Sequence, residues 1–392
     1  MDKYFETGKQ IIKKLNTAGY EAYFVGGYVR DKLLNIISDD IDITTNALPQ
    51  EVTDLFDNVK NTGAKYGSVT VLYDMFKFEV TTYRFDGDYL NNRHPEDVSF
   101  SLSLDDDLAR RDFTMNAICL SLDDQIIDKF NGISDIQDKI IRTINNPLNR
   151  FEEDALRILR AIRFVSKLGF DIETNTLNAI KEKRDLLKNI SIERIIVELD
   201  KIFRGKYLNK AIKYMNQAGV SSTLFGLEKG LKYLEDKTHD LYPLEIFTLC
   251  FILEEPDDIW KFSNKNMRLI RQVMNIQEVT KDSLYNKLLV YSNKLEPCLI
   301  ANKINVVLGF DDQEELIRKI DKELPIKDVC DMKFKGQDII WLSEMKRKSD
   351  IGVIVDELKY NVIMGYMKND YEELKVYAMK RIKDFMKDDK DE

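Results

Sequence analysis

The sequence has very few of the residues that build histidine or cysteine metal centres. It contains two histidines, His94 and His239, and four scattered cysteines without a CxxC pair. This excludes a zinc site and a disulfide framework, and scattered thiols are typical of the reducing cytosol. No apolar run approaches the ~20 residues of a membrane span, and residues 1–6 lack the pattern of a signal peptide. We therefore expect a cytoplasmic protein with no membrane partner.

Charge is distributed unevenly along the chain, although the whole sequence of 392 residues has a net charge of −9. Residues 1–141 hold 15 Lys and Arg against 25 Asp and Glu, whereas residues 142–214 hold 16 against 10. A basic stretch beside an acid-rich one is the pattern of an RNA or nucleotide binder with an acidic metal site. Composition leaves open the simpler interpretation of a solvated, charged helix face.

The periodicity of apolar residues changes near residue 142. Before it, strands are predicted at 21–25 and 41–44, and segments 68–73 and 76–83 are predicted to form a hairpin. After it, apolar residues recur at helical spacing.

A chain of this length is expected to form two or more domains. We predict an α/β head with a small mixed sheet and helices over residues 1–141. An all-α neck over 142–206 and an all-α body and tail over 207–392 are expected to follow.

Two glycines and two aspartates form the first candidate site. Gly26 and Gly27 lie between a predicted strand and a predicted helix, where backbone N–H groups can approach a phosphate closely, and Arg30 follows them. Asp40 and Asp42 lie two apart on the next predicted strand, so both side chains project from one face. Carboxylates that close repel each other unless a cation lies between them. Mg2+ prefers a few carboxylates together with substrate phosphate oxygens.

The segment 110–118, which reads RRDFTMNAI, is a second candidate site. The guanidinium group of Arg111 is suited to hold a triphosphate or a metal-site carboxylate. The simpler interpretation is an exposed helix start with Asp112 near its N-terminus.

Asp154 and Arg157 form the third candidate site, as i, i+3 neighbours on a predicted helix. If they read a base, the carboxylate accepts from an exocyclic amine and the guanidinium donates to a ring nitrogen. Cytosine and adenine match this pattern, whereas uracil and guanine do not. If they are only a surface ion pair, they contribute ~0.3–0.5 kcal/mol. Arg160 and Arg163 continue at three-residue steps, each about 60° short of a full turn, so Arg163 is expected opposite Asp154.

Taken in order, these motifs resemble the class II CCA-adding enzymes, tRNA nucleotidyltransferases whose superfamily also contains bacterial poly(A) polymerases. The resemblance spans about residues 24–204. The matching motifs are Gly26-Gly27-x-Val29-Arg30-Asp31 with Asp40-x-Asp42, Arg110-Arg111-Asp112-Phe113-Thr114-x-Asn116-Ala117, Asp128-x-Phe130-x-Gly132-x-x-Asp135, Glu153-Asp154-x-x-Arg157-x-x-Arg160-x-x-Arg163-Phe164 and Ile192-Glu193-Arg194-Ile195-x-x-Glu198-Leu199.

The resemblance implies a catalytic site that contains Mg2+ bound by Asp40 and Asp42. It implies that C, C and A are added to the 3′ end of tRNA from CTP and ATP, with release of pyrophosphate. The expected partner is tRNA, bound at its acceptor stem and elbow, and a homodimer is kept as an option. The residues expected to bind ATP and CTP are Gly27, Arg30, Arg111, Asp154, Arg157, Arg160 and Arg163.

Two features bear on the sub-class. Bacterial poly(A) polymerases of the family carry extra basic sequence after the hairpin, which residues 83–86 lack. Enzymes that add only C lack a loop there, whereas residues 85–95 form a polar stretch. An enzyme that adds only A keeps this loop and is the main alternative, ahead of a poly(A) polymerase or a non-catalytic RNA-binding relative.

The chain departs from the family at one place near the first candidate site: the family usually has Gly and a basic residue where this chain has Asn35 and Ile36. Glu79, on the predicted hairpin, is either a third carboxylate of the site or a solvated edge residue.

Overall fold

The structure is a computed structural model that describes residues 2–38, 40–86, 89–90, 94–95, 98–101, 103–256, 258–343 and 348–391. The chain forms two compact units. The first comprises residues 1–238 with 253–261, and the second comprises residues 239–252 with 262–392. The predicted domain limits at 141 and 206 both fall within the first unit and stay predictions.

Most strands of the first unit belong to one mixed sheet, and the strands are numbered here in chain order. They are β1 (Ala22–Val25), β2 (Ile41–Thr45), β3 (Val59–Gly63), β4 (Ser68–Tyr73), β5 (Phe76–Thr82), β6 (Arg84–Asp86), β7 (Tyr89–Leu90), β8 (His94–Pro95), β9 (Val98–Phe100), β10 (Ile118–Leu120), β11 (Ile126–Asp128), β12 (Ile140–Ile141) and β13 (Asp171–Ile172).

The main sheet has seven strands in the order β11-β10-β1-β2-β5-β4-β3. Strands β2 and β5 run parallel, and the other neighbouring pairs run antiparallel. The four predicted strands are found as β1, β2, β4 and β5, and the predicted hairpin is the antiparallel pair β4–β5, with Tyr73 opposite Phe76. The polar stretch 85–95 includes the end of β6 and all of β7 and β8. Residues 87–88 and 91–93 lie outside the described residues, so the predicted repositioning of this stretch stays a prediction.

Helices cover the sheet and form most of the rest of the first unit. The first helix packs closely on the sheet, because a Cβ at Gly8 would lie 2.7 Å from the Phe24 ring. The helices up to residue 234 are α1 (Asp2–Thr17), α2 (Gly27–Leu33), α3 (Pro49–Leu55), α4 (Leu104–Ala109), α5 (Gly132–Gln137), α6 (Pro147–Glu153), α7 (Leu156–Leu168), α8 (Thr174–Lys183), α9 (Ile192–Phe203), α10 (Leu208–Gln217) and α11 (Glu228–Leu234).

Helix α7 is the central helix after the sheet. It packs against α9 and α10, and its Ile158, Leu159, Ile162 and Val165 are fully buried. The region predicted as an all-α neck contains one short strand, β13, which pairs in parallel with β12. The predicted α/β head followed by helices is confirmed.

The second unit is helical over its described residues, and its core includes Ile270, Val273 and Ile304. Within the part of the chain that the structure describes, no helix combines the length and apolar character needed to span a bilayer. The remaining helices are α12 (Pro243–Leu253), α13 (Asn264–Thr280), α14 (Lys287–Asn293), α15 (Leu295–Leu308), α16 (Glu314–Glu323), α17 (Gly336–Leu342), α18 (Lys348–Met364) and α19 (Tyr371–Asp391).

Candidate nucleotide site

A cavity of about 570 Å³ in the first unit brings the three candidate sites together. All nine predicted site residues line it, and so do Gly26, Asp31, Asp112, Lys167 and Arg194. Nine cationic side chains line the cavity against five carboxylates, a balance that suits a triphosphate. The nine predicted residues are Gly27, Arg30, Asp40, Asp42, Arg111, Asp154, Arg157, Arg160 and Arg163.

The Gly26-Gly27 turn brings the backbone against charged side chains of the cavity. Gly26 has φ +75°, in the left-handed region that favours glycine. A Cβ there would lie 3.2 Å from Asp42 Oδ2 and 3.4 Å from Arg111 Nη1. The turn therefore leaves room for a ligand between the backbone and these two side chains only because it lacks a side chain of its own.

Arg30 is buried beneath this turn and held on three sides. It is 3% exposed. Its Nε and Nη2 donate to Asp31 Oδ1 at 2.8 and 2.6 Å, and its Nη1 donates to Asn116 Oδ1 at 2.6 Å. The guanidinium carbon lies 5.0 Å from the centroid of the Phe164 ring, a cation–π distance. The orientation of this guanidinium is thus determined by protein contacts.

The two aspartates both reach the cavity, although only Asp42 lies on β2 and Asp40 immediately precedes the strand. Asp42 pairs in register with Glu79 of the parallel neighbour β5. Burial and the nearby charge of Glu79 raise the pKa of Asp42 to about 6, Asp40 adds to this, and Arg111 and Arg30 oppose it.

A cation between Asp40 and Asp42 would relieve the repulsion from neighbouring carboxylates, which adds to the larger effect of burial on this pKa. Over the described residues, no three His, Cys, Asp or Glu side chains form a ready-made metal cage. The donor set fits Mg2+, which binds through one or two carboxylates plus waters and substrate phosphates.

The segment after α4 is buried, so its interpretation as an exposed helix start was wrong. Asp112 is 8% exposed, and its Oδ1 accepts from Asn116 Nδ2 at 2.9 Å. Its Oδ2 accepts from Arg160 Nε at 2.7 Å. Although burial alone would raise the pKa of Asp112, Arg160 and Asn116 outweigh it and lower the pKa to about 2. Asp112 is therefore the charged anchor of Arg160.

Arg111 is held from the other side by a fully buried carboxylate. Its Nη2 donates to Asp107 Oδ2 at 3.0 Å, and Asp107 also accepts from Arg110 Nη2 at 2.6 Å and from Thr44 Oγ1 at 3.0 Å. The Nε of Arg111 is buried without a hydrogen-bond partner. The Arg111 atom beside the Gly26-Gly27 turn is instead Nη1, 3.4 Å from the position of a Gly26 Cβ.

The prediction that Asp154 and Arg157 share one helix was wrong. The helix breaks at Asp154, which is extended (φ −142°, ψ 102°) between α6 and α7. Its Oδ1 accepts from the Leu156 backbone N–H at 3.1 Å, and its Oδ2 accepts from Arg194 Nη2 at 2.9 Å. The Asp154 carboxylate thus satisfies the first backbone N–H of α7 and also contacts α9.

Arg157 has other partners than Asp154. It is 7% exposed, and its Nη1 donates to Glu153 Oε2 at 2.6 Å while its Nη2 donates to the Arg110 carbonyl oxygen at 3.0 Å. The alternative of an exposed surface ion pair with Asp154 is therefore also wrong. Both side chains nevertheless line the same cavity.

Arg163 also differs from its predicted place. Because Asp154 is outside α7, the helical drift counted from it does not apply, and Arg163 lines the same cavity. Its Nη1 pairs with the buried Glu198 at 3.3 Å. The guanidinium carbons of Arg160 and Arg163 lie 5.9 and 5.4 Å from the centroid of the Phe164 ring. Phe164 is thus an apolar pivot for three of the cavity's arginines.

Similarity to known proteins was found along nearly the whole chain. A CCA-adding enzyme of Ligilactobacillus salivarius is 36% identical over 401 residues, covering 97% of this chain and 97% of that protein. One of Pediococcus pentosaceus is 34% identical, covering 94% of this chain and 96% of that protein. The crystal structure of the Bacillus stearothermophilus CCA-adding enzyme in complex with CTP is 32% identical, with a TM-score of 0.85 over 98% of this chain and 99% of that one.

The chain belongs to the CCA-adding enzyme family. Residues 22–142 match the family model "Poly A polymerase head domain". Residues 169–232 match "Probable RNA and SrmB- binding site of polymerase A", and residues 258–378 match "tRNA nucleotidyltransferase domain 2 putative". The Thermotoga maritima CCA-adding enzyme complexed with tRNA, 21% identical with a TM-score of 0.65, shares the fold.

The family departure at Asn35 has a structural explanation. Asn35 follows α2 with φ +55°, a left-handed conformation that asparagine tolerates better than most residues other than glycine. Asparagine can therefore end this helix where the family usually has glycine.

Several cavity residues were missed by reasoning from the sequence alone. Asp31, Phe164, Lys167 and Arg194 were not assigned roles, although each lines the cavity. Phe164 and Arg194 lie on amphipathic helices, where an apolar residue predicts core and a single cation predicts a solvated face. The spacing of Lys167 from the predicted Arg160, seven residues along one helix face, was the one signal that could have found it.

Proposed function

We propose that this chain catalyses the template-independent addition of C, C and A to the 3′ end of tRNA, using CTP and ATP and releasing pyrophosphate. The observation that carries the proposal is the single cavity that joins a carboxylate pair, a cationic wall and the Asp154–Arg157 edge. Membership in the CCA-adding enzyme family supports it over the full length of the chain.

The cationic wall is proposed to hold the triphosphate. Arg30 and Arg111 are fixed by buried partners on either side of the Gly26-Gly27 turn, so their charge is already oriented before the nucleotide binds. Such preorganised charge is proposed to bind the triphosphate equally in the ground state and in the transition state, so that it favours nucleotide binding. The terminal ribose 3′-hydroxyl of the tRNA attacks the α-phosphate in line.

Asp40 and Asp42 are proposed as the residues that hold Mg2+. When bound there, magnesium neutralises triphosphate charge and lowers the pKa of the attacking hydroxyl. Glu79 is in register with Asp42 but exposed, and we assign it to solvation of the strand edge.

Asp154 and Arg157 are proposed to read the base. Each oxygen of the Asp154 carboxylate accepts one hydrogen bond from the protein, and a carboxylate has about four acceptor positions. It can therefore still accept from the exocyclic amine of cytosine or adenine. Arg157 is oriented toward the same cavity by Glu153 and by the Arg110 carbonyl group.

The finer assignments belong to the same proposal. We assign base recognition to the neck over residues 142–206 and tRNA binding, at the acceptor stem and elbow, to the body and tail over 207–392. A cytoplasmic location is supported by four free cysteines, of which Cys119, Cys250 and Cys298 are buried. A homodimer is compatible with the proposal.

The test uses tRNA transcripts that lack all three, two or one of the terminal nucleotides. Each is incubated with CTP, ATP or both, with and without magnesium, and the products are sequenced. We expect full restoration of all three transcripts with both nucleotides. Extension of only the transcript that lacks the final A would identify an A-adding enzyme, and addition of long A tracts would identify a poly(A) polymerase. No metal-dependent incorporation would leave a non-catalytic RNA-binding protein.

A further inference from the structure

Three residues on one face of α7 contact Arg30, either directly or through other side chains. Arg160, Phe164 and Lys167 are spaced i, i+4 and i+7, so they form a single stripe along the helix. The Phe164 ring stacks on the Arg30 guanidinium group at 5.0 Å. The other two residues reach Arg30 through one or two intermediate side chains.

Lys167 reaches Arg30 through Asp31. The Nζ of Lys167 donates to Asp31 Oδ2 at 2.9 Å, and the other carboxylate oxygen, Oδ1, accepts from Nε and Nη2 of Arg30. The Asp31 side chain is 4% exposed, whereas that of Lys167 is 44% exposed and lines the cavity. A carboxylate this deeply buried needs a partner on each oxygen to keep one orientation.

Arg160 reaches Arg30 by a longer route. It pairs with Asp112, which accepts from Asn116 Nδ2, and the Oδ1 of Asn116 accepts from Arg30 Nη1. Side chains of α7 therefore support both edges of the Arg30 guanidinium group through intermediates, and the Phe164 ring covers one face.

We propose that Lys167 is a positioning residue for the nucleotide, which orients Arg30 through Asp31. The inference rests on the proposed function, in which Arg30 contacts the triphosphate. Because CTP and ATP share the triphosphate, Lys167 affects both nucleotides equally. It leaves the preference for C and A over U and G unchanged, since that preference is assigned to Asp154 and Arg157.

The first experiment compares Lys167→Met with Lys167→Arg, which retains the charge and a donor. We expect Lys167→Met to raise KM for both CTP and ATP by roughly tenfold at nearly unchanged kcat, as for loss of one hydrogen bond between charged groups. Lys167→Arg should restore most of the loss. Lys210→Met is the matched control, because Lys210 also pairs with an aspartate, Asp171 at 2.6 Å, but does not line the cavity. Wild-type KM values in Lys167→Met, or an equal rise in Lys210→Met, would overturn the inference.

The second experiment separates action through Asp31 from direct contact with the substrate. Lys167→Met is measured alone and in an Asp31→Asn background. If Lys167 acts through Asp31, the second substitution should change KM by less than about twofold in the Asp31→Asn background, since coupled residues are not additive. The same tenfold effect in both backgrounds would mean that Lys167 touches the substrate itself, and the proposal would be wrong.

If the Asp31→Asn protein does not fold, Asn116→Ala serves as the second background for Lys167→Met. Asn116 is the other polar anchor of Arg30, so its substitution and Lys167→Met should combine non-multiplicatively if both act on the same guanidinium group. Independent, multiplicative effects would refute the coupling. Calorimetric Kd values for CTP test the same cycles without turnover. A wild-type protein that binds CTP but adds no nucleotide would refute the proposed function while leaving the coupling measurable.

Discussion

Several charged side chains of the cavity are both deeply buried and paired. Arg30, Arg157 and Asp112 are 3%, 7% and 8% exposed, and each contacts an oppositely charged group. Charged residues are rarely buried unless paired, and clusters of them are typical of functional sites. Removing one partner of such a pair leaves an uncompensated charge, so single substitutions here are expected to affect activity strongly.

The carboxylates Asp40 and Asp42 give the first prediction. Asp40→Ala and Asp42→Ala should each abolish addition of both nucleotides, because metal-assisted charge stabilisation contributes several kcal/mol to catalysis. The fold and tRNA binding should be retained. Single-turnover rates with CTP and ATP measure the effect, with thermal unfolding as the check on folding. Glu79→Gln is the matched control and should keep activity within about tenfold. Near-normal turnover in either aspartate variant would rule out the metal-site assignment.

Asp154 and Arg157 give the second prediction. Asp154→Ala should remove the acceptor for the amine and increase incorporation of UTP and GTP relative to CTP and ATP. Arg157→Ala should lower kcat/KM for both correct nucleotides. The expected loss of transition-state stabilisation is about 1–3 kcal/mol, by analogy with bidentate base contacts. The measurement is kcat/KM for all four nucleotides on tRNA lacking one or two terminal nucleotides.

The control for this pair is Arg204→Ala. Arg204 forms an exposed i, i+4 ion pair with Asp200 at 2.7 Å, the kind of contact that the sequence alone suggested for Arg157. It should change neither selectivity nor stability by more than about 1 kcal/mol. Wild-type nucleotide ratios in both Asp154→Ala and Arg157→Ala would place selectivity elsewhere.

At the scale of elements, the break between α6 and α7 shapes the site. Asn146 caps α6 by accepting from the Leu148 backbone N–H at 2.9 Å, and Pro147 occupies the first turn. Asp154 then accepts from the backbone N–H of Leu156, the first residue of α7. In a continuous helix, the direction of the Asp154 side chain would be fixed by the helical geometry. With the break, its carboxylate contacts Arg194 of α9 and lines the cavity.

The packing of α7 against the end of α9 gives the third prediction. A Cβ at Gly205 would lie 1.9 Å from Ser166 Oγ and 2.6 Å from the Ser166 carbonyl oxygen. Gly205→Ala must therefore push the chain after α9 away from α7, at a cost of about 1–3 kcal/mol. We expect a lower unfolding temperature, measured by circular dichroism. We also expect weaker nucleotide binding, because α7 carries arginines that line the cavity.

Gly352→Ala is the matched control for Gly205→Ala. Gly352 lies within α18, and a Cβ there would contact nothing within 4 Å. Alanine in a helix interior is favoured over glycine by roughly 1 kcal/mol, so this variant should be neutral or more stable. A Gly205→Ala protein as stable as the wild type would show that α7 and α9 can separate without cost.

At the scale of the whole molecule, the charge distribution predicts how tRNA is bound. An A-form acceptor stem is recognised by shape and phosphate contacts, not by base sequence. The fourth prediction is that the Kd for tRNA rises at least tenfold between ~50 and ~200 mM salt, as counterion release requires. Filter binding of tRNAs with different acceptor-stem sequences should give similar Kd values. Salt-independent binding, or selection by stem sequence, would contradict this.

Charge reversal localises the effect. Two charge-reversal variants are compared, Lys206→Glu and Lys65→Glu. Lys206 lies in the basic region 142–214 and Lys65 in the acid-rich region 1–141, and both side chains are exposed. Lys206→Glu should weaken tRNA binding and reduce its salt dependence more than Lys65→Glu. Equal effects would show that long-range net charge, and not the basic region, governs binding.

The strands, the change to helices near residue 142 and the motif residues were predictable because they are local properties. Alternation with period two places β1, β2, β4 and β5, and short-range spacing is enough to recognise a carboxylate pair or a glycine turn. Together with the family resemblance, the same local patterns identified nine of the residues that line the cavity.

Only the tertiary structure decided which partners these residues have. Arg194 contacts Asp154 from 40 residues away, and Lys167 contacts Asp31 from 136 residues away. Helical spacing paired Asp154 with Arg157, but the helix breaks at Asp154 and each of the two residues has other partners. Sequence spacing describes the neighbours within one element, whereas the orientation of a buried charge is determined by whichever opposite charge the packing of other elements brings within hydrogen-bond distance.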